Sequence, residues 1–257
     1  MTYCKVEKLI GKKILSIETG KIAKQADGAA LVRYGDTMVL ATAVSAPEEK
    51  EEADFFPLTV DYREKTYAAG KFPGGFFKRE GRPTLKEILT MRLIDRPVRP
   101  LFPETYLREV QIMSMVLSAD KENDPDILAM VGASAALSIS SIPFGGPTGS
   151  VRVGQINGEF VVNPTHTELA MSSMDLVVSG TEEAVTMVEA SGKEVPEEQM
   201  VDAIMFGHAF IKEIVLLQKE LLAKCGKEKQ HVPPAKLDMA LLDEIKGKYY
   251  SEILEKN

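Results

Sequence analysis

The feature that most constrains this chain is a change in the spacing of its apolar residues at Pro196. Before it, apolar residues come in short runs bounded by turn formers; after it, they recur only at helical spacing. The runs are Ile14 to Glu18, Ala29 to Tyr34, Thr37 to Ser45, Leu58 to Tyr62, Glu109 to Ser118, Ser150 to Ile156, Glu159 to Val162, Met174 to Ser179 and Ala184 to Ser191. Gly35-Asp36 and Asn157-Gly158 fall between adjacent runs and predict hairpins.

Two helices interrupt the strands. Thr84 and Glu87 form a T-x-x-E capping box, so a helix should start there and stop near Arg96, before Pro97. A second should start at Pro125, capped by Asn123 or Asp124, and run through the small residues Val131 to Ser138, where Ala and Gly permit close packing on a sheet. Beyond Pro196, Met200, Ala203, Ile204, Gly207, Ile211, Ile214, Leu221 and Leu222 keep helical period, with Glu197 and Glu198 in the favourable first turn and Gly226 at the end. Pro233 and Pro234 mark a linker, and Leu237 to Leu254 repeats the helical spacing. The expectation is an α+β domain over 1–195 followed by a helical segment over 196–257. The chain closes on Glu255, Lys256 and Asn257 with no capping feature and reads as truncated.

A content of 44% apolar and 27% charged residues excludes wholesale disorder. No stretch approaches the ~20 apolar residues of a membrane span, and Met1 to Lys13 lacks a signal-peptide core. A cytoplasmic protein without membrane contact is expected. Cys4 and Cys225, at opposite ends, read as free thiols; His166, His208 and His231 are scattered and read as structural. No zinc ligand set or nucleophile pair is evident.

The net charge of −7 hides an asymmetry. Ten basic and four acidic residues lie between Arg63 and Arg99, a local +6, so the remainder carries −13. Within this stretch, residues 63–82 have no regular period and contain Gly70, Pro73, Gly74, Gly75 and Gly81; such a long irregular loop is usually functional or disordered. Its order Tyr67, Lys71, Phe72, Phe76, Phe77, Lys78, Arg79, Arg82 interleaves rings with cations. Single-stranded nucleic acid asks for that combination, rings for the bases and cations for the phosphates. The competing reading puts the rings in a core and the cations on a solvated rim. In the next helix, Arg92 and Arg96 share a face, where like charges repel unless an anion sits between them. Either Asp95 neutralises them together with Arg99, or the guanidinium groups hold a phosphate.

At these residues a resemblance becomes visible. Asp54-Phe55-Phe56-Pro57-Leu58-Thr59-Val60, Tyr67-Ala68-Ala69-Gly70, Phe76-Phe77-Lys78-Arg79-Glu80-Gly81-Arg82-Pro83 and the run Arg92 to Pro103 resemble the first core domain of the bacterial polynucleotide phosphorylase family. Asp124-Pro125-Asp126-Ile127 and Gly132 to Leu137 do so as well, and the resemblance covers the whole chain. It implies a ribonuclease PH-like (ribosomal protein S5 domain 2-like) fold, then the start of the family's all-helical region. It further implies a homotrimeric ring that threads single-stranded RNA, partners in an RNA-degradation complex, and phosphorolysis of RNA by inorganic phosphate to nucleoside diphosphates with Mg2+. Carried onto this chain, it puts Phe76, Phe77, Lys78, Arg79 and Arg82 in an RNA-channel loop over 63–82, and Arg92, Arg96 and Arg99 at anion-binding positions.

One departure matters. The family's catalytic domain carries two aspartates six apart, a lysine two after the second, and a serine-rich phosphate turn. Here Asp175 stands at the second position, but Leu169 and Val177 occupy the others, and the turn reads Asn123-Asp124-Pro125-Asp126. Asp124 and Asp126 read as cap and turn residues rather than a metal pair. The expectation is an RNA-binding segment with no complete catalytic or metal site, its catalysis supplied by a second core domain. Two alternatives stand beside it: a non-catalytic exosome-type ring subunit, and a stand-alone ribonuclease PH, which the changes at Leu169 and Val177 disfavour.

Overall fold

The computed structural model describes residues 2–49, 55–76, 78–233 and 239–256. Among the described residues, ten strands form two sheets. The first runs β1 (Cys4–Ile10), β2 (Lys13–Thr19), β3 (Gly28–Tyr34), β4 (Thr37–Glu49), then β6 (Arg108–Ser118) and β5 (Leu58–Glu64) in spatial order 1-2-3-4-6-5. Its pairings are antiparallel except β5 with β6, which are parallel and joined through helix α1 (Leu85–Val98). The second sheet contains β7 (Gly149–Ile156), β8 (Glu159–Val162), β9 (Met174–Gly180) and β10 (Val185–Gly192) in order 10-9-7-8.

Helix α2 (Pro125–Ile139) lies between the sheets, and all of its residues are buried. A helix apolar on every side has no solvent face to keep, so it becomes the centre of a core. Its small residues set the spacing: a Cβ on Gly28 would meet the Ala136 carbonyl oxygen at 1.9 Å, and one on Gly132 would meet Ala41 Cβ at 2.9 Å. The Asn157-Gly158 turn has positive φ at both residues, as a two-residue hairpin of this hand requires.

Several expectations need correction. Strand β1 was not expected, because only Val6 and Ile10 of its seven residues are buried. Helix α1 passes Pro97 and ends at Val98; the missing N–H falls in the last turn, where only one intrahelical bond is lost. A short helix α3 (His166–Ala170) was also missed, although Thr165 and Glu168 form a complete capping box. Asp124 takes the N-cap position of α2, but its side chain makes no capping bond. Residue 196 is no boundary in the packing. Helix α4 (Glu197–Cys225) lies against β7, β9 and β1 and buries Ala203, Gly207, Ile211, Ile214 and Leu221 in the same core.

The segment after α4 crosses the C-terminal end of α2. Lys227 N–H donates to the Ile139 carbonyl at 3.0 Å, and Gln230 N–H to that of Ser141 at 2.8 Å. Lys229 Nζ donates to the carbonyls of Leu137 at 2.7 Å and Ser140 at 2.9 Å, at the C-terminal turn of the helix. Burial lowers the Lys229 ammonium to about 8. Thr105 donates to the Pro233 carbonyl. Pro234 and Leu237 lie outside the described residues; helix α5 (Met239–Lys256) follows and buries none of its side chains.

Candidate functional site

The loop after β5 begins as a 3-10 turn at Thr66–Ala69 closed by Gly70 in the left-handed region. Its base is fixed. Thr66 donates to Glu80 Oε1 through its backbone N–H at 3.1 Å and its hydroxyl at 2.9 Å, and Ala119 N–H donates to the Ala68 carbonyl at 3.0 Å. The tip is open: Phe72 and Phe76 are 93% and 94% exposed, and Tyr67 is half exposed. Lys71, Lys78, Arg79 and Arg82 are all exposed around them. Tyr67, Phe72 and Phe76 therefore do not tuck into the core, contrary to the competing reading of this loop. Phe77 and Asp54 lie outside the described residues. Phe72 belongs with Phe76 as a ring presented to solvent, a position that sequence reading left out of the binding set.

Residues 72–76 and 78–82 belong to no helix or strand. Amide hydrogen exchange there should therefore be complete within the time that β4 and β6 remain protected. Protection of these amides equal to that of the flanking strands would contradict an open tip.

Beyond the loop, α1 faces the second sheet across a cleft of about 290 Å³. Leu89, Arg92, Leu93 and Arg96 line one wall; Arg152, Asp175, Val177 and Glu189 line the other. Arg92 and Arg96 also border a depression of about 270 Å³ beside Val60 and Asp95, so the two guanidinium groups form a ridge between hollows. Arg96 donates to Glu189 at 2.5 Å, whereas the exposed Arg92 side chain makes no ion pair or hydrogen bond among the described residues. Arg99 needs a correction. It forms a two-pronged bond to Asp95, at 2.6 Å on each arm, and donates to the carbonyls of Phe56 and Leu58, so it clamps α1 to the start of β5 rather than binding an anion in the cleft.

The floor of the cleft was not legible beforehand. Arg152 of β7 is 11% exposed and donates to Asp126 and Asp175, each at 2.5 Å, with Asp124 at 3.9 Å. Lys86 approaches Asp124 at 3.1 Å and Glu64 at 3.0 Å. Asp126 is fully buried. Desolvation pushes its carboxyl up to about 6 against the pull of Arg152, and Asp124 adds repulsion. The Arg152 guanidinium is desolvated too, but Asp126 and Asp175 more than offset this and hold it charged.

The aspartates at the N-terminus of α2 are thus bound to the protein's own cations. Asp126 is an ion-pair partner whose carboxylate also accepts the Ile127 backbone N–H at 2.6 Å in the first turn of α2, and Asp124 serves Lys86 and Arg152. Asp175 is held by Arg152, Val177 is buried beside it, and Leu169 sits in α3. Leu169 and Val177 are apolar and the Asp175 carboxylate is held by Arg152, so these residues do not fit a Mg2+ site. Among the described residues, no group of three His, Cys, Asp or Glu side chains could hold a metal ion. His208 is buried, with its Nε2 at 3.1 Å from the Thr181 carbonyl, a packing role.

Comparison with known proteins decides the family. Residues 13–143 match the 3′ exoribonuclease family, domain 1, and residues 146–209 match domain 2 of the same family. The chain belongs to the 3′ exoribonuclease family. It is 54% identical over 251 residues to the polyribonucleotide nucleotidyltransferase of Geotalea uraniireducens, covering 98% of this chain and 36% of that protein. To that of Acidobacterium capsulatum it is 56% identical over 240 residues, covering 93% and 30%. The chain therefore spans about a third of the length of these relatives. The fold also matches rice (Oryza sativa) Rrp46 with a TM-score of 0.64 at 15% identity, over 86% of this chain and 94% of that one. The ribonuclease PH-like fold expected from the resemblance is thereby shown, with a helical segment at its C-terminal end.

Proposed function

We propose that this chain is the RNA-guiding core segment of a phosphorolytic exoribonuclease that degrades mRNA from the 3′ end, releasing nucleoside diphosphates with inorganic phosphate as the attacking group. The observation that carries this reading is the loop tip: two phenylalanine rings exposed to more than nine-tenths, surrounded by exposed Lys71, Lys78, Arg79 and Arg82. Bases stack on the rings and the cations follow the phosphates, a mode indifferent to sequence. Arg92 and Arg96 then offer guanidinium groups to a phosphate of the strand at the cleft.

Catalysis belongs to a second core domain, whose carboxylates would hold Mg2+ and stabilise the charge developing on phosphate attack. In this domain the corresponding centre is closed by Arg152 and its aspartates. The ring in this reading is a homotrimer that works in the cytoplasm, alone or in an RNA-degradation complex. Among the described residues, no helix is long and apolar enough to cross a membrane.

The test is incubation of the purified chain with poly(A), phosphate and Mg2+. Nucleoside diphosphate release is expected at background, while a single-stranded oligonucleotide is retained at low salt. Release that copurifies with the chain and is abolished by Asp175→Ala would move catalysis into this domain and overturn the assignment.

A further inference from the structure

We propose that Cys4 and Cys225 form a thiol pair that peroxide converts to an intrachain disulfide, fastening the first strand to the end of the long helix. The sequence places these residues at opposite ends of the chain; the fold brings them together. Cys4 opens β1, in register with Thr19, and Cys225 is the last residue of α4, which packs along β1. Both are half-buried against the core, and Cys4 is the neighbour that acts on the Cys225 thiol. The Cys225 thiol also donates to the Leu221 carbonyl at 3.2 Å. Each backbone position is fixed by regular structure. A disulfide needs two Cα atoms and side-chain directions that converge. Thr19, the register partner of Cys4, donates to the Ala29 carbonyl at 2.6 Å, and Lys227, two residues past Cys225, donates to the Asp27 carbonyl, so both cysteines lie near the start of β3.

The chemistry has an order. Burial, and then the neighbouring Cys4, push the Cys225 thiol up to about 12, which keeps it protonated and a poor first nucleophile. Cys4 sulfur therefore attacks hydrogen peroxide: an S–O bond forms, the O–O bond breaks, and one water leaves. Cys225 sulfur then attacks the sulfenic sulfur of Cys4. The S–S bond forms, the S–O bond breaks, and the hydroxide departs with the Cys225 proton as a second water. Two thiols lose two electrons and peroxide gains them. The pair needs no further thiol to resolve it, so oxidation stops at the disulfide rather than proceeding to sulfinic acid.

The product joins residues 4 and 225 and restricts the unfolded chain across nearly the whole domain, where the entropic stabilisation is largest. The experiment uses the full-length polypeptide as its gene encodes it, reduced and then treated with a small molar excess of hydrogen peroxide. Remaining thiols are blocked with N-ethylmaleimide and the peptides mapped by mass. A Cys4–Cys225 linked peptide two hydrogens lighter than its parts is expected, within one chain and reversed by dithiothreitol. The melting temperature of the domain should rise by roughly 5 °C on oxidation. That shift should be absent in Cys4→Ser and, independently, in Cys225→Ser. Sulfinic acid at either cysteine without the linked peptide, a link between two chains, or unreacted thiols would each overturn the proposal.

Discussion

Replacing Lys78 and Arg79 with glutamate is expected to weaken binding of a single-stranded oligoadenylate at least tenfold at low salt and to flatten its salt dependence. Both side chains are exposed at a loop tip beside Phe76, so their charges are available to phosphates. Each cation that neutralises a phosphate of a single strand adds about 0.7 to the slope of log affinity against log salt. Losing two should reduce that slope by about 1.4, and the added acids repel the strand further. Phe72→Ala and Phe76→Ala should act differently. Each removes a stacking platform worth roughly 1–3 kcal/mol per base, so affinity falls while the slope stays constant. Fluorescence anisotropy titrations at several salt concentrations separate these effects. Unchanged affinity and slope in the charge-reversal variant would remove the loop from the RNA path.

The second large effect concerns the floor of the cleft. Arg152→Met is expected to destabilise the domain by roughly 3–5 kcal/mol, because it leaves Asp126 buried without its counter-charge. The 4% exposure of the Asp126 side chain leaves water no route to compensate. The pH dependence has a definite sign. The Asp126 carboxyl in the folded protein sits at about 6, above its ordinary value of 3.8, so the folded state binds its proton more tightly than the unfolded state does. Its contribution is fully favourable at pH below about 4 and is lost as pH rises through 6. Removing Arg152 raises the folded value further, so the variant's deficit should be greatest at pH 8 and smaller at pH 5. Asp126→Asn introduced into Arg152→Met should recover part of the loss at pH 8. Urea denaturation of the three proteins at both pH values measures this, and a deficit independent of pH would show that Arg152 acts through packing alone.

The strands next to turn dipeptides were legible because turn chemistry is a local signal; β3, β7 and β8 fall close to where the sequence places them, although β3 is buried on both faces. Edge strand β1 escaped because Lys5, Glu7 and Lys8 point to solvent and exposed Leu9 breaks the alternation. At the site, the loop could be read from composition, whereas the role of Arg152 could not. Its only local trace is a cation in the apolar run Ser150-Val151-Arg152-Val153, and a charge there implies a buried partner without saying which one. Asp124 and Asp126 looked like cap residues because the start of α2 is local information; their cations arrive from β7 and α1. The meeting of Cys4 and Cys225 has no sequence signature at all, since it depends on how α4 lies along β1.

The bond from Thr66 to Glu80 also has a kinetic meaning. It ties the two ends of the loop together, so the exposed rings sit on a short tether with a fixed base. A passing strand can be caught by a ring anywhere within reach of that tether, before its phosphates have found the arginines. Capture of this kind raises the rate of encounter more than the lifetime of the complex. Lengthening the tether, by breaking the Glu80 bond, should therefore slow the handover of the strand from the tip to the cleft while leaving first contact almost unchanged.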